Sequence, residues 1–219
     1  MRTLFPAAEL PIPVLATSVR LANPDPAAQR QTQAEVDAWI DLAAELGIPV
    51  IRVYGGVRAD GFDVDAAVQV VAEALARIAP LAERAGVAVG VETHDDFSSA
   101  AVLARAVDQV PNRAVGAVWD MYHTARMGET PAQALECIGK RVLNVHLKDA
   151  RRKPDGWQLL LLGQGEIPVK DALRLLLAQG YDQYISVEWE KKWHPELDEP
   201  EVAFPQHLQL LQDYVRELS

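Results

Sequence analysis

One cysteine, Cys137, stands among 219 residues, which excludes an internal disulfide and a thiolate metal cluster. Its apolar neighbours Ala134, Leu135 and Ile138 predict a buried thiol on a helix rather than a nucleophile. Basic residues are scarce: 21 Lys and Arg face 31 Asp and Glu, a net charge of −10. General nucleic-acid binding draws its affinity from phosphate neutralisation, so that class is disfavoured, although a local basic pocket is compatible with the count. No apolar run reaches transmembrane length and no charged-then-apolar leader is present. The expectation is a soluble, cytoplasmic protein with no membrane partner. Low-complexity tails and linker-like stretches are lacking too. At 49% hydrophobic residues the chain can bury one full core, which predicts a single domain over residues 1–219.

What is present is alternation. Successive strand side chains point to opposite faces. In residues 142–149 this groups Asn144, His146 and Lys148 on one face and Leu143, Val145 and Leu147 on the other. Residues 87–94 separate Val87, Val89 and Val91 from Gly90, Glu92 and His94; residues 114–120 group Gly116, Val118 and Asp120; residues 184–190 group Ser186, Glu188 and Glu190. In a parallel barrel the apolar face packs on outer helices, while polar residues at the C-terminal strand ends line the active-site mouth. Four strands thus end in residues suited to hold a metal: Glu92, Asp120, His146 and Glu188. Three carboxylates and one imidazole suit Mn²⁺, Mg²⁺, Co²⁺ or Zn²⁺ with positions left for substrate oxygens.

The remaining chain repeats strand then helix. Residues 14–18 and 48–54 read as strands. The stretch 21–31 reads as a loop broken by Pro24 and Pro26, with a helix from the capping-box pattern Thr32–Glu35 to Gly47. Helices follow over 65–85, 99–110, 131–138, 169–179 and 207–218, and 151–165 reads as a long irregular loop suspected of function. Short connections of this kind force a parallel sheet with helical crossovers. Six strand–helix units are visible, at roughly 36 residues each; eight would need about 290, against ~250 for a complete β/α barrel. The expectation is a TIM-type α/β barrel that is incomplete. Its two open edges predict a homo-oligomer that covers them.

These motifs resemble the sugar phosphate isomerase/epimerase superfamily, the xylose isomerase-like TIM barrels. They stand here as Ile51-Arg52-Val53-Tyr54-Gly55-Gly56, Val91-Glu92-Thr93-His94, Trp119-Asp120-Met121-Tyr122-His123, Asn144-Val145-His146-Leu147-Lys148-Asp149, Gly163-Gln164-Gly165-Glu166-Ile167 and Ser186-Val187-Glu188-Trp189-Glu190. Gln164 departs from the usual Gly-Glu-Gly. The resemblance implies that this chain's first strand stands at the family's third, that residues 1–5 would fall in the family's second helix, and that the expected domain is shortened at its N-terminus.

The resemblance implies a divalent-metal isomerase or epimerase of a small sugar- or polyol-like carbonyl compound, working through an enediolate. Glu92, Asp120, His146 and Glu188 would be the ligands, Mn²⁺ the usual occupant, and Glu92 and Glu188 the acid and base. His123 would contact substrate or orient the metal shell. His94 either reaches the mouth or is exposed; Lys148 binds an oxyanion or pairs with a carboxylate; Asp149 reads as a loop cap and Glu190 as a solvated or supporting group. Arg52, Arg126 and Arg151 are anion clamps or solvated loop arginines, and Trp157, Trp189 and Trp193 are pocket walls or surface covers. An inosose dehydratase-like lyase and a non-catalytic partner subunit are the rival readings. Endonuclease IV-like hydrolysis is disfavoured by the acidic charge and by five histidines, too few for a three-metal site.

Overall fold

The computed structural model describes residues 10–218. Six strands form one all-parallel sheet: β1 (Val14–Arg20), β2 (Val50–Tyr54), β3 (Ala88–Glu92), β4 (Val115–Asp120), β5 (Val142–Leu147) and β8 (Ile185–Val187). They are paired in that spatial order. Between β5 and β8 the chain adds an antiparallel hairpin, β6 (Asp149–Lys153) with β7 (Gly156–Leu160). The sheet curls into a half-barrel, with β1 and β8 at its open margins among the described residues. Both margins are the ones expected from the strand order. The reading of residues 1–5 lies outside the described residues.

Helices cover the outer face. They are α1 (Pro26–Leu46), α2 (Val64–Ala85), α3 (Ala100–Val107), α4 (Met121–Arg126), α5 (Pro131–Ile138), α6 (Val169–Ala178) and α7 (Pro200–Leu218). Their starts are chemically encoded: Asp63 and Ser99 accept from backbone N–H groups of the first turns of α2 and α3. Thr130 and Gln133 close a reciprocal capping box on α5. The apolar stripe of α2, including Val68, Val71, Leu75 and Ile78, packs into one core with Val89, Val91, Val115 and Val145 of the strands. No helix among the described residues is long and apolar enough to cross a membrane.

Several sequence expectations change, the last helix among them, which begins at Pro200 and not at residue 207. The first helix begins at Pro26, inside the stretch read as a loop, because Asp25 caps it and proline at the first helical position gives up only an N–H that has no helical partner. Residues 151–165 are largely the hairpin, reversed at Pro154-Asp155. Cys137 is exposed; at ~100° per residue it lies well off the stripe of Ala134, Leu135 and Ile138 that α5 buries. Leu143 leaves the outer face. The register passes from Ala117↔Val142 to Val118↔Asn144, so Leu143 is the extra residue of a bulge. A Cβ on Gly116 would stand 2.7 Å from Leu143 Cγ and 2.4 Å from the Arg141 carbonyl oxygen, so this glycine is what lets Leu143 turn in.

Asp149, read as a loop cap, is the hub behind the mouth. Its carboxylate accepts from Gly163 and Gly165 N (both 2.8 Å), Ile167 N (3.1 Å) and Ala150 N (2.8 Å). A Cβ on Gly165 would fall 2.1 Å from Asp149 Oδ1. Asp149→Ala strands four N–H donors. It should cost about 3 kcal/mol or more in urea unfolding, with Asp149→Asn recovering part of the loss; an unshifted midpoint would show the loop to be held otherwise.

Candidate metal centre

Glu92 and Asp120 end β3 and β4, His146 lies on β5, and Glu188 follows β8. The register sets Asp120 opposite His146 and His146 opposite Ser186, so neighbouring strand ends deliver the four side chains to one place. One ligand atom from each lies within 4.8 Å of the others. His146 Nδ1 stands 3.3 Å from Glu92 Oε1 and 4.0 Å from Glu188 Oε1.

The strand ends are tied to one another. Thr93 Oγ1 accepts from Asp120 N at 2.8 Å and donates to the Asp120 carbonyl at 3.2 Å. Ser186 Oγ donates to Asn144 Oδ1, and Asn144 Nδ2 to the Tyr184 carbonyl, both at 3.2 Å. Asp120 Oδ1 caps α4, accepting from Tyr122 N (2.9 Å) and His123 N (3.2 Å). That leaves Oδ2 as the oxygen free to face a cation.

Two buried cations complete the cluster. Arg52 Nη1 lies 2.8 Å from Glu92 Oε2, with its guanidinium 4.1 Å from the Tyr54 ring centre. Lys148 Nζ lies 3.0 Å from Asp120 Oδ2 and 2.6 Å from Glu190 Oε1, and also pairs with Glu188 Oε2. The contacts to Glu92 Oε2 and Asp120 Oδ2 are not aligned as hydrogen bonds, so both buried oxygens keep acceptor capacity. Four carboxylates against two fixed cations leave two negative charges, the complement of one divalent ion.

Acid–base shifts reflect the same imbalance. Burial pushes the Asp120 carboxyl up to about 7, with Lys148 opposing and Glu188 and Glu92 adding. Burial works against the His146 cation, yet Glu92, Glu188 and Asp120 outweigh it and raise the imidazole above its usual range. Burial likewise opposes the Lys148 ammonium and is overcome by Asp120, Glu188 and Glu190, so the amine stays charged. Burial would raise Glu188, but Lys148, His146 and Arg52 hold it below the usual carboxylate range. Where no metal sits, protons supply part of the missing positive charge.

His123 is buried beside the cluster with Nε2 3.7 Å from Asp120 Oδ2, and neither ring nitrogen has a hydrogen-bond partner. Burial, then Lys148 and His94, drive its pKa down to about 2, so it is a neutral imidazole. His94 stacks edge-on against it at 4.4 Å and lies 3.0 Å from Asp95 Oδ1; it is half-buried, not exposed. Asp95 has φ +49°, which non-glycine residues seldom adopt.

Of the sequence candidates, Glu92, Asp120, His146, Glu188, Lys148, Arg52 and His123 converge, and His94 borders them. Arg52 is no solvated loop arginine: it belongs to β2, buried by its ion pair. Arg126 and Arg151 are exposed, the first over the Tyr122 ring at 5.2 Å, the second donating to the Gln164 carbonyl. Trp157 meets Tyr122 edge-on at 5.8 Å, Trp189 donates to the Asp198 carbonyl, and Trp193 is exposed. Tyr54 and Tyr122 were not singled out by sequence. Both lie two residues beyond a site residue near a strand's C-terminal end, which is the signal that finds them.

The family description "Xylose isomerase-like TIM barrel" matches residues 1–214. A protein of Streptomyces coelicolor named "Putative hydroxypyruvate isomerase" is 27% identical over 171 residues, 72% of this chain and 58% of that protein. The chain spans about half the length of the curated relatives it matches, 46% and 58%. Among solved structures, a D-tagatose 3-epimerase-like protein superposes with a TM-score of 0.82 at 23% identity, covering 99% of this chain and 81% of the other. The IolI protein with a bound zinc atom gives 0.81 at 20% identity, covering 96% and 78%. At such identities these likenesses carry the fold.

Proposed function

The chain belongs to the xylose isomerase-like TIM barrel family, and from that premise we propose that it is a divalent-metal-dependent isomerase or epimerase of a small sugar- or polyol-like carbonyl compound. Glu92, Asp120, His146 and Glu188 are the ligands in this reading; the donor set suits Mn²⁺, Mg²⁺, Co²⁺ or Zn²⁺, and Mn²⁺ is the occupant that the family resemblance implies. The observation that carries it is the convergence of four ligand atoms within 4.8 Å at adjacent C-terminal strand ends, beside an unbalanced double negative charge.

Glu92, Asp120, His146 and Glu188 would hold the ion, which would supply a Lewis acid beside a substrate carbonyl. Glu188, held ionised, would take the proton next to the carbonyl, and Glu92 would serve the opposite side of the substrate as acid after its carboxylate has collected a proton from water. Arg52 fixes Glu92 through their ion pair. His123 offers a neutral imidazole to substrate hydroxyls, His94 stands against it at the edge of the cluster, and Lys148 offers a cation.

The test starts from the purified chain. Elemental analysis should find close to one divalent ion per protein; EDTA dialysis should abolish turnover of hydroxypyruvate or D-tagatose, the compounds in the relatives' names, and Mn²⁺ should restore it. Full turnover in a metal-stripped sample would end this reading. A product lacking one water would move the assignment to the lyases.

A further inference from the structure

Lys148 is only 2% exposed, and its ammonium touches three carboxylates that come from two strand ends. Two of them, Asp120 and Glu188, belong to the four-residue ligand set; the third, Glu190, does not. The overlap at Asp120 is unavoidable. Its Oδ1 is committed to the first turn of α4, so a metal ion must use Oδ2, the atom that Lys148 faces at 3.0 Å. At Asp120 the ammonium and a metal ion would compete for one oxygen, Oδ2, while at Glu188 the ammonium holds Oε2 and Oε1 faces His146. Glu190 Oε1, at 2.6 Å, is the contact that a withdrawing ammonium keeps, and the Tyr122 ring 5.4 Å from Nζ is a further surface a cation tolerates.

We propose that Lys148 is a built-in cation that holds the ligand cage together until a divalent ion displaces it, with Glu190 as the side chain that retains the ammonium afterwards. Metal uptake is then an exchange of ammonium for ion within one cage. The inference rests on the metal reading of the site and adds to it a residue that sets metal affinity from inside. Without the ammonium, Asp120 and Glu188 repel each other in the absence of metal but attract an incoming dication more strongly. A lysine acting only as a structural brace gives the opposite sign for metal binding, because its loss would disorganise the ligands.

The experiment is calorimetric titration of MnCl₂ into the EDTA-stripped full chain, with thermal unfolding of the same metal-free samples. Lys148→Met should bind Mn²⁺ about tenfold tighter or more than the wild type, while its metal-free melting temperature falls. Glu190→Gln should bind Mn²⁺ more weakly, since the displaced ammonium loses its remaining partner. Equal or weaker binding by Lys148→Met overturns the exchange and leaves the metal site standing. A wild type that binds no Mn²⁺ overturns the metal reading, and this inference with it. If Lys148→Met does not fold without metal, Glu190→Gln decides: affinity equal to or above the wild type overturns the proposal.

Discussion

His146→Ala should leave the protein without its divalent ion. One of four donors is lost, and the three remaining are carboxylates converging on one point, whose mutual repulsion then has less to offset it. Loss of a group that merely orients a ligand typically weakens binding 10–100-fold, so removing a ligand itself should exceed about 100-fold. Gel-filtered protein analysed by plasma emission should fall from near one ion per chain to a trace. The circular dichroism spectrum should persist, because Val145 and Leu147 still hold β5 in the core. Undiminished metal content in a folded variant would dismantle the proposed site.

Glu188→Gln should stop proton exchange while keeping the metal. In D₂O the active protein should place deuterium at the carbon next to the carbonyl; the glutamine variant should do so about 10²–10⁴-fold more slowly, the usual contribution of a positioned general base. An amide oxygen can still ligate, so elemental analysis should continue to find the ion. The nearest competitor is Glu190, two residues on and joined to the same ammonium. With Mn²⁺ saturating, Glu190→Gln should still exchange. If it fails to and Glu188→Gln does not, the base is Glu190.

The legible parts of this chain were those fixed by local periodicity. Glu92, Asp120, His146 and Glu188 could be read because each stands at the end of a short apolar run whose alternation sets its face, and the strand–helix order sets the end of the barrel at which it emerges. Leu143 could not, because a bulge is an event of register between two strands, and alternation within one strand carries no trace of it. The hairpin escapes a reading by periodicity because Arg151, Arg152 and Lys153 show no alternation of apolar and polar residues, although Pro154-Asp155-Gly156 is a turn signal in its own right. Arg52 shows a different limit. A charged residue on a strand is ambiguous until its partner is known, and Glu92 is 40 residues away in sequence and one strand away in space. Which carboxylates share Lys148 is likewise decided by the packing of β4 and β8 around the end of β5.

The narrowness of β8 bears on how the cluster behaves over time. Three of the four donors stand on interior strands, whereas Glu188 hangs from a three-residue strand that is marginal among the described residues and pairs with β5 at three positions. It is steadied further by the bond from Glu188 N to the Leu147 carbonyl at 2.9 Å. Such margins detach with far less free energy than a core strand. Glu188 can therefore leave without the core opening, and an ion bridging it to β3, β4 and β5 would rivet the loose margin to the rigid interior. Any affinity measured at this centre then contains the local equilibrium for docking β8, and a substitution on the hidden side of that strand would alter ion binding without touching a ligand.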